Sequence, residues 1–280
     1  MSRIRGLRPG LAVAGMCLMG FSVLASSSLR TGQGRHQQSL TCDDQWSDGN
    51  KPQHCEIRET TIPAAGALSV DGQKNGGISV RGADRSDILV RARVQTRGNT
   101  DAEALELSNQ IKVETAGQRV YASGPDNSSE RSWSVSYEIF VPRQSDLSLT
   151  AHNGGISVSD VRGKISFTTL NGGVSLARLA GSVHGQTTNG GVSVDLEGGT
   201  WDGDTLDVST TNGGVSLHMP DNYSAHLETG TTNGGMNFGI PITVQGKIPK
   251  QLSLDLGSGG PVIRVTTVNG GVSISRNKSS

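Results

Sequence analysis

From residue 143 to 276 the chain alternates apolar and polar positions in short bursts. Each burst breaks at one phrase, Asn-Gly-Gly followed by an aliphatic residue and usually Ser. The phrase stands at Asn75, Asn153, Asn171, Asn189, Asn212, Asn233 and Asn269, with a degenerate continuation, Met236-Asn237-Phe238, after Asn233. Successive intervals from Asn153 are 18, 18, 23, 21 and 36 residues, the last being twice 18. A short fixed period of this kind is the mark of a solenoid.

Aligning the copies on Asn produces columns. Leu147, Ile165, Val183, Leu206, Leu227 and Ile263 stand six residues before it, and Ala151 with Thr169, Thr187, Thr210, Thr231 and Thr267 stand two before. Three after come Ile156, Val174, Val192, Val215, Met236 and Val272. Five after come Val158, Leu176, Val194, Leu217, Phe238 and Ile274. Period-2 alternation turns these four columns inward, and turns the column five before Asn (Ser148, Ser166, His184, Asp207, Glu228, Arg264) outward. Like residues then stack about 4.8 Å apart. The Thr column is expected to pass hydroxyl hydrogen bonds along the stack, and the Asn column to form an amide ladder. Each Asn-Gly-Gly is read as a corner, with Gly supplying positive φ. The fold expected is all-β, a β-solenoid like a parallel β-helix, with two short strands per 18-residue coil.

The first half has longer strand signals, at Ile88–Val94 and Trp133–Val141, the second ended by Pro142. Thr100 with Glu103 three residues on fits a capping box and predicts one short helix over 101–109. The domains read as a signal peptide (1–25), a flexible leader with a disulfide loop (26–55), an N-terminal β cap (56–142), the regular solenoid (143–276) and a tail (277–280). Extra residues at Glu197–Asp204 and Met219–Ser224 loop out at corners. The long last interval holds one degenerate coil or a hairpin.

Arg3, Arg5 and Arg8 ahead of the apolar stretch Leu11–Leu24 give the signal peptide, the run being too short to span a membrane. An uncleaved anchor is the alternative. Net charge is zero over the whole chain, and removal of the signal leaves 22 basic against 25 acidic side chains. Neither balance suits nucleic acid. Cys17 falls in the signal, where Met16 argues against lipidation. Cys42 and Cys55 remain, and in an exported chain two thiols are most simply a disulfide. Two unrelated thiols are the other reading. A metal site fits less well, because the two Cys and His54 lack a fourth ligand.

Chemistry is sparse. There is no Gly-x-Ser-x-Gly elbow, no His-Glu-x-x-His and no phosphate loop. Stacking would bring His184 beside Asp207 and Asp195 beside His218, within hydrogen-bond reach but without a nucleophile or pocket. No catalytic residue and no cofactor are expected. Asp195, Glu197, Asp202, Asp204 and Asp207, with Gly198, Gly199 and Gly203, are a weak calcium candidate whose spacing matches no known loop.

Several stretches together carry a likeness: Tyr137–Pro142, the Asn-Gly-Gly coils, Trp201-Asp202-Gly203, Pro220 with Tyr223-Ser224-Ala225, and Leu256–Gly260 ahead of Thr267–Gly271. The chain resembles the bacterial putative-adhesin family, exported β-solenoid domains of unknown function, over about residues 60–276. The resemblance implies a structural role for Trp201, plugging the coil below it, and supplies no catalytic residue. The function expected is a non-enzymatic envelope or surface protein, an adhesin or scaffold using its solenoid face toward a glycan or protein. The alternatives are a polysaccharide lyase or hydrolase and a periplasmic sensory domain. The location expected is periplasmic, cell-surface or secreted, with membrane contact only through the N-terminal segment.

Overall fold

The computed structural model describes residues 40–42, 51–241 and 250–277. The expected signal peptide, most of the leader and positions 278–280 of the tail lie outside the described residues. In chain order the strands are β1 (Gln53–Pro63), β2 (Leu68–Asp71), β3 (Ile78–Ala83), β4 (Asp87–Arg97), β5 (Lys112–Glu114), β6 (Arg119–Ser123), β7 (Ser132–Pro142), β8 (Leu147–Ala151), β9 (Ile156–Ser159) and β10 (Arg162–Asn171). They continue as β11 (Val174–Ala177), β12 (Ala180–Asn189), β13 (Val192–Asp195), β14 (Thr205–Asn212), β15 (Val215–Met219), β16 (Ala225–Asn233), β17 (Met236–Phe238), β18 (Gln251–Leu256), β19 (Val262–Asn269) and β20 (Val272–Arg276). Among the described residues one α-helix, α1 (Asp101–Gln110), joins β4 to β5.

The strands form two sheets, ordered β1-β4-β7-β3-β9-β11-β13-β15-β20-β17 and β18-β16-β19-β14-β12-β10-β8-β2-β6-β5. Each coil puts one strand into each sheet, and the coils stack in parallel. The registers are those of the sequence columns: Ile165 opposes Val183, Val183 opposes Leu206, and Val174 opposes Val192. The chain is therefore a β-solenoid, mostly strand, with two parallel-rich sheets. The four inward columns are buried, except that Met236 and Phe238 are half-exposed. A fifth inward column, four residues before Asn, escaped the sequence reading. It holds Leu149, Phe167, Val208, Thr229 and Val265, all buried. Its irregular member is Gly185, and a Cβ there would lie 2.4 Å from the Phe167 ring. A neighbour's bulk thus fills that gap, which hides the column from a search for aliphatics.

Spatial order departs from chain order. The β19–β20 coil lies between β14–β15 and β16–β17, so the last coil of the sequence is not the last of the stack. The long interval includes β18, which runs antiparallel on β16. That resolves the choice between a degenerate coil and a hairpin toward the hairpin. The chain reaches the end of the stack at β16–β17, covers one edge with β18, and turns back to insert a coil. Met236 and Phe238, the least regular pair of the repeat, belong to that end coil.

The corners hold together differently from expectation. The Asn ladder forms as read: Asn153 donates its amide to Asn75, Asn171 to Asn153, Asn189 to Asn171, Asn212 to Asn189, Asn269 to Asn212 and Asn233 to Asn269, at 2.7–3.2 Å. The Thr hydroxyls do not bond one another. Each donates to the carbonyl of the first corner Gly on the neighbouring coil: Thr169 to Gly154, Thr187 to Gly172, Thr210 to Gly190, Thr267 to Gly213 and Thr231 to Gly270, at 2.7–2.9 Å. A half-buried carbonyl at a strand break needs a donor, and the buried Thr is the nearest one. The corner glycines have no positive φ. They are required by packing, since a Cβ on Gly154, Gly172, Gly190 or Gly213 would lie 2.1 Å from the carbonyl oxygen one coil away. Positive φ occurs at the opposite corner, at Gly163, Gly181 and Gly203.

The β2–β3 coil stacks directly on β8–β9, and β7, β4 and β1 extend its sheet with longer strands. Thr100 caps α1 by accepting from the Glu103 N–H, while the Glu103 carboxylate accepts from the Asn99 N–H. The last turn of α1 has no basic residue of its own. Arg58 of β1 supplies one, donating to the Ser108 and Ile111 carbonyls. Glu56 accepts from Arg58 and from the Ser108 hydroxyl. Cys42 and Cys55 form a disulfide, Cα atoms 5.7 Å apart. It holds residues 40–42 on the sheet, where the Leu40 N–H reaches Glu138 and Arg93 donates to the Thr41 carbonyl.

The Ser108 hydroxyl, followed by Arg58, holds the Glu56 carboxyl below its ordinary range, and Arg178 does the same for Asp160. A depressed carboxyl contributes stability above its unfolded pKa, near 4, and loses it as pH falls through the folded value. The melting temperature is therefore expected to be level from about pH 7 to 5 and to drop by several degrees below about pH 4. Glu56→Gln should start lower and show a shallower acid limb in a calorimetric pH series. An acid limb as steep as the parent's would mean that Glu56 does not contribute.

Candidate functional site

The outer face of the first sheet carries one unbroken row. Ser79, Ser157, Ser175, Ser193, Ser216, Ser273 and Asn237 oppose one another in that spatial order on β3, β9, β11, β13, β15, β20 and β17. The row arises because each strand continues the corner in the same phase. The aliphatic residue turns inward and the following Ser turns outward. The second corner glycines run beside it, so no side chain shades the hydroxyls from that side. Two shallow hollows of about 480 Å³ lie along this strip. One is bordered by Gly77, Gly155 and Gly173 with Ser79, Ser157 and Ser175, and the other by Gly214, Gly235 and Gly271 with Ser216, Asn237 and Ser273. Leu40, anchored by the disulfide segment, stands at the end of the first hollow.

The outer face of the second sheet is more charged. His184 and Asp207 oppose each other as expected. Asp207 pairs instead with Arg264, at 3.1 Å, and the His184 ring lies 3.2 Å from the Ser182 hydroxyl. Arg264 also reaches Glu228, and outcompetes a histidine as a permanent cation. The Asp195 carboxylate lies 2.8 Å from Nδ1 of His218 without the alignment of a hydrogen bond. The five acids of the weak calcium candidate are not gathered. Arg162 binds Asp202 and depresses its carboxyl, Arg264 holds Asp207, and Asp195 and Glu197 both act on Arg178. Among the described residues no three His, Cys, Asp or Glu side chains gather as a metal site. Trp201 is buried at that loop and donates its indole N–H to the Gly181 carbonyl at 3.0 Å. It packs near Leu176, Leu179 and Val194, the role that the resemblance implied.

One arrangement went unread in the sequence. His226 on β16 lies 2.7 Å from Asp255 through Nδ1 and 3.1 Å from the Ser253 hydroxyl through Nε2. Ser253 and Asp255 alternate along β18, and the antiparallel register sets His226 opposite Asp255. Only the unexpected antiparallel return of β18 creates this contact. The order of groups is that of a nucleophile, base and orienting acid. The Asp255 side chain is 66% exposed, however, and Glu228 crowds the same imidazole at 3.7 Å. An open sheet face of this kind does not exclude water or hold an acyl group, so the three groups read as a surface polar cluster.

No curated protein sequence matches the chain. Among solved structures it is similar to a putative cell adhesion protein from Clostridium sporogenes ATCC 15579, at 11% identity over 80% of this chain and 100% of that one, with a TM-score of 0.42. It is also similar to a putative adhesin from Bacteroides fragilis NCTC 9343 (11% identity, 79% and 97% covered, TM-score 0.40). A third is a putative lipid binding protein from Parabacteroides distasonis ATCC 8503 (9% identity, 80% and 97% covered, TM-score 0.32). Residues 94–275, well over half of the chain, match the family model described as Toastrack DUF4097. That span runs from the cap strand β4 to the last coil, and the chain belongs to the Toastrack DUF4097 family.

Proposed function

We propose that the protein is a non-enzymatic envelope or surface component, an adhesin or scaffold that works through the outer face of its solenoid. The observation that carries this reading is the in-register row from Ser79 to Asn237. It presents hydroxyls and one amide at the strand spacing, about 4.8 Å, beside the row of second corner glycines. A partner that is itself extended or periodic can lie along such a strip, and repeat folds bind along faces of this type. The basic-then-apolar N-terminal pattern and the Cys42–Cys55 disulfide support export to an oxidising compartment, periplasmic, cell-surface or secreted. Among the described residues no helix is long and apolar enough to cross a membrane.

The test is binding of the labelled mature chain to whole bacterial cells and to isolated envelopes. A Ser175→Arg/Ser193→Arg/Ser216→Arg variant places three cations mid-row without touching the core. It should melt with the parent and bind at least tenfold less. Equal binding by a folded variant would overturn the role of this face. The enzyme alternative has one observation in its favour, the Ser253–His226–Asp255 cluster, so ester and polysaccharide turnover should be assayed alongside. Turnover lost in Ser253→Ala would replace the non-enzymatic reading.

A further inference from the structure

A further hollow among the described residues lies away from the serine row. It lies where the first corner, Gly72–Asn75, meets the end of β6, the following loop and the start of β7, and its volume is about 330 Å³. That is the lower end of the range for small-molecule sites. Tyr121 and Trp133 bring aromatic rings to its wall, and Gln73, Lys74, Asn75, Asp126 and Asn127 bring amides and opposite charges.

The wall is built rather than loose. The Asn127 side chain clasps Trp133 from both sides, accepting from its N–H at 2.7 Å and donating to its carbonyl at 3.1 Å. The Trp133 indole N–H donates to the Pro125 carbonyl at 2.6 Å, which fixes the ring. Gly124 packs against that ring, and a Cβ there would come within 3.2 Å of it. Arg119 sits over the Tyr121 ring, 5.6 Å from its centre. On the opposite wall, Gln73 holds positive φ, with its N–H on the Asp71 carboxylate at 2.8 Å.

Asn75 is the second independent sign. It is the first member of the asparagine ladder. Its carbonyl oxygen accepts from Asn153, and among the described residues no further Asn of the ladder accepts from its own amide. The ladder therefore ends, at this cavity, on an NH₂ with both donors to offer. Lys74 and Asp126 place one cation and one anion in the lining, so their charges offset rather than select an ion. Aromatic faces with mixed neutral donors and acceptors suit a ligand having an apolar face and a rim of hydroxyls. A pyranose ring has that chemistry.

We infer that this cavity is a binding subsite for one sugar residue of a neutral glycan. The inference rests on the reading of the protein as a surface binder and names the ligand class. It places the specific contact at the cap, apart from the serine row. The experiment is calorimetric titration of the mature chain with cellohexaose, chitohexaose, maltohexaose and mannohexaose. One of them is expected to bind saturably at a single site. A Lys74→Ala/Asp126→Ala variant, altered only at exposed side chains, should melt with the parent and bind at least tenfold more weakly. Trp133→Phe should also weaken binding and change the ligand-induced shift in tryptophan fluorescence. The triple Ser→Arg variant of the row should bind the same hexaose as the parent does. Failure of all four to bind, or undiminished binding by the folded Lys74→Ala/Asp126→Ala variant, would overturn the subsite. Adhesion lost only in the row variant would leave the proposed function standing without it.

Discussion

Val192→Asp should unfold the protein at a much lower urea concentration than the parent, while Ser193→Asp, one residue on, should barely move the midpoint. Val192 is 2% exposed and lies between Val174 and Val215 in the stacked register. The core between the two sheets is thin and aliphatic there, and offers a carboxylate no partner. An unpaired buried charge costs several kcal/mol even after relaxation. Ser193 faces out in the serine row, where a substitution costs under about 1 kcal/mol. Alternate strand residues face opposite ways, so a one-residue error of register would exchange the two results. Because each coil contacts only its neighbours, the central lesion should also broaden the transition. The measurement is the urea midpoint and slope of each variant. Equal losses would show that this strand is not half-buried as described.

Gly172→Ala should be the second most damaging substitution, and Gly173→Ala nearly silent. A Cβ on Gly172 would stand 2.1 Å from the Gly154 oxygen and 2.5 Å from its carbon, against backbone that cannot swing aside. The coils would have to part at that corner, which also stretches the Thr169 bond to Gly154 and the Asn171 bond to Asn153. Overpacking typically costs 1–3 kcal/mol, and a clash with backbone should reach about 3 kcal/mol or more. On Gly173 the nearest atom to a new Cβ is the Gly191 oxygen at 3.7 Å, an ordinary contact. Neither glycine has positive φ, so backbone strain does not confuse the comparison. Thermal melts of the two variants decide it. Equal destabilisation would restore a conformational account of the corner and count against close stacking.

Much of the coil is legible in the sequence. The aliphatic columns, the Asn ladder, the Thr100 cap and the Cys42–Cys55 pair all follow from local rules: alternation, amide geometry, helix-end hydrogen bonding and thiol parity. The errors share a cause as well. The sequence pairs the Thr hydroxyls with one another along their column and gives the corner glycines positive φ, because side-chain columns leave out the backbone carbonyls of the neighbouring coil. Their actual partners are carbonyls on the next coil. The Phe167–Gly185 fit was missed because the two residues compensate each other across strands.

The serine row was implicit in the repeat, whereas the sugar cavity and the His226 cluster were not. The cavity joins residues 72–75 to 121–135, and the cluster joins β16 to β18 through an antiparallel turn-back that no repeat announces. The sequence alone determined which residues face inward and which corner positions must be asparagine or small. Those properties repeat every coil and depend only on the strand's own alternation. Which coil lies on which was decided by the tertiary structure. Coils with the same columns accept one another equally well, so side-chain pattern cannot order them. The placement of β19–β20 inside the stack, with the irregular Met236–Phe238 strand left at its end, follows from where the chain can return once β18 has covered the edge.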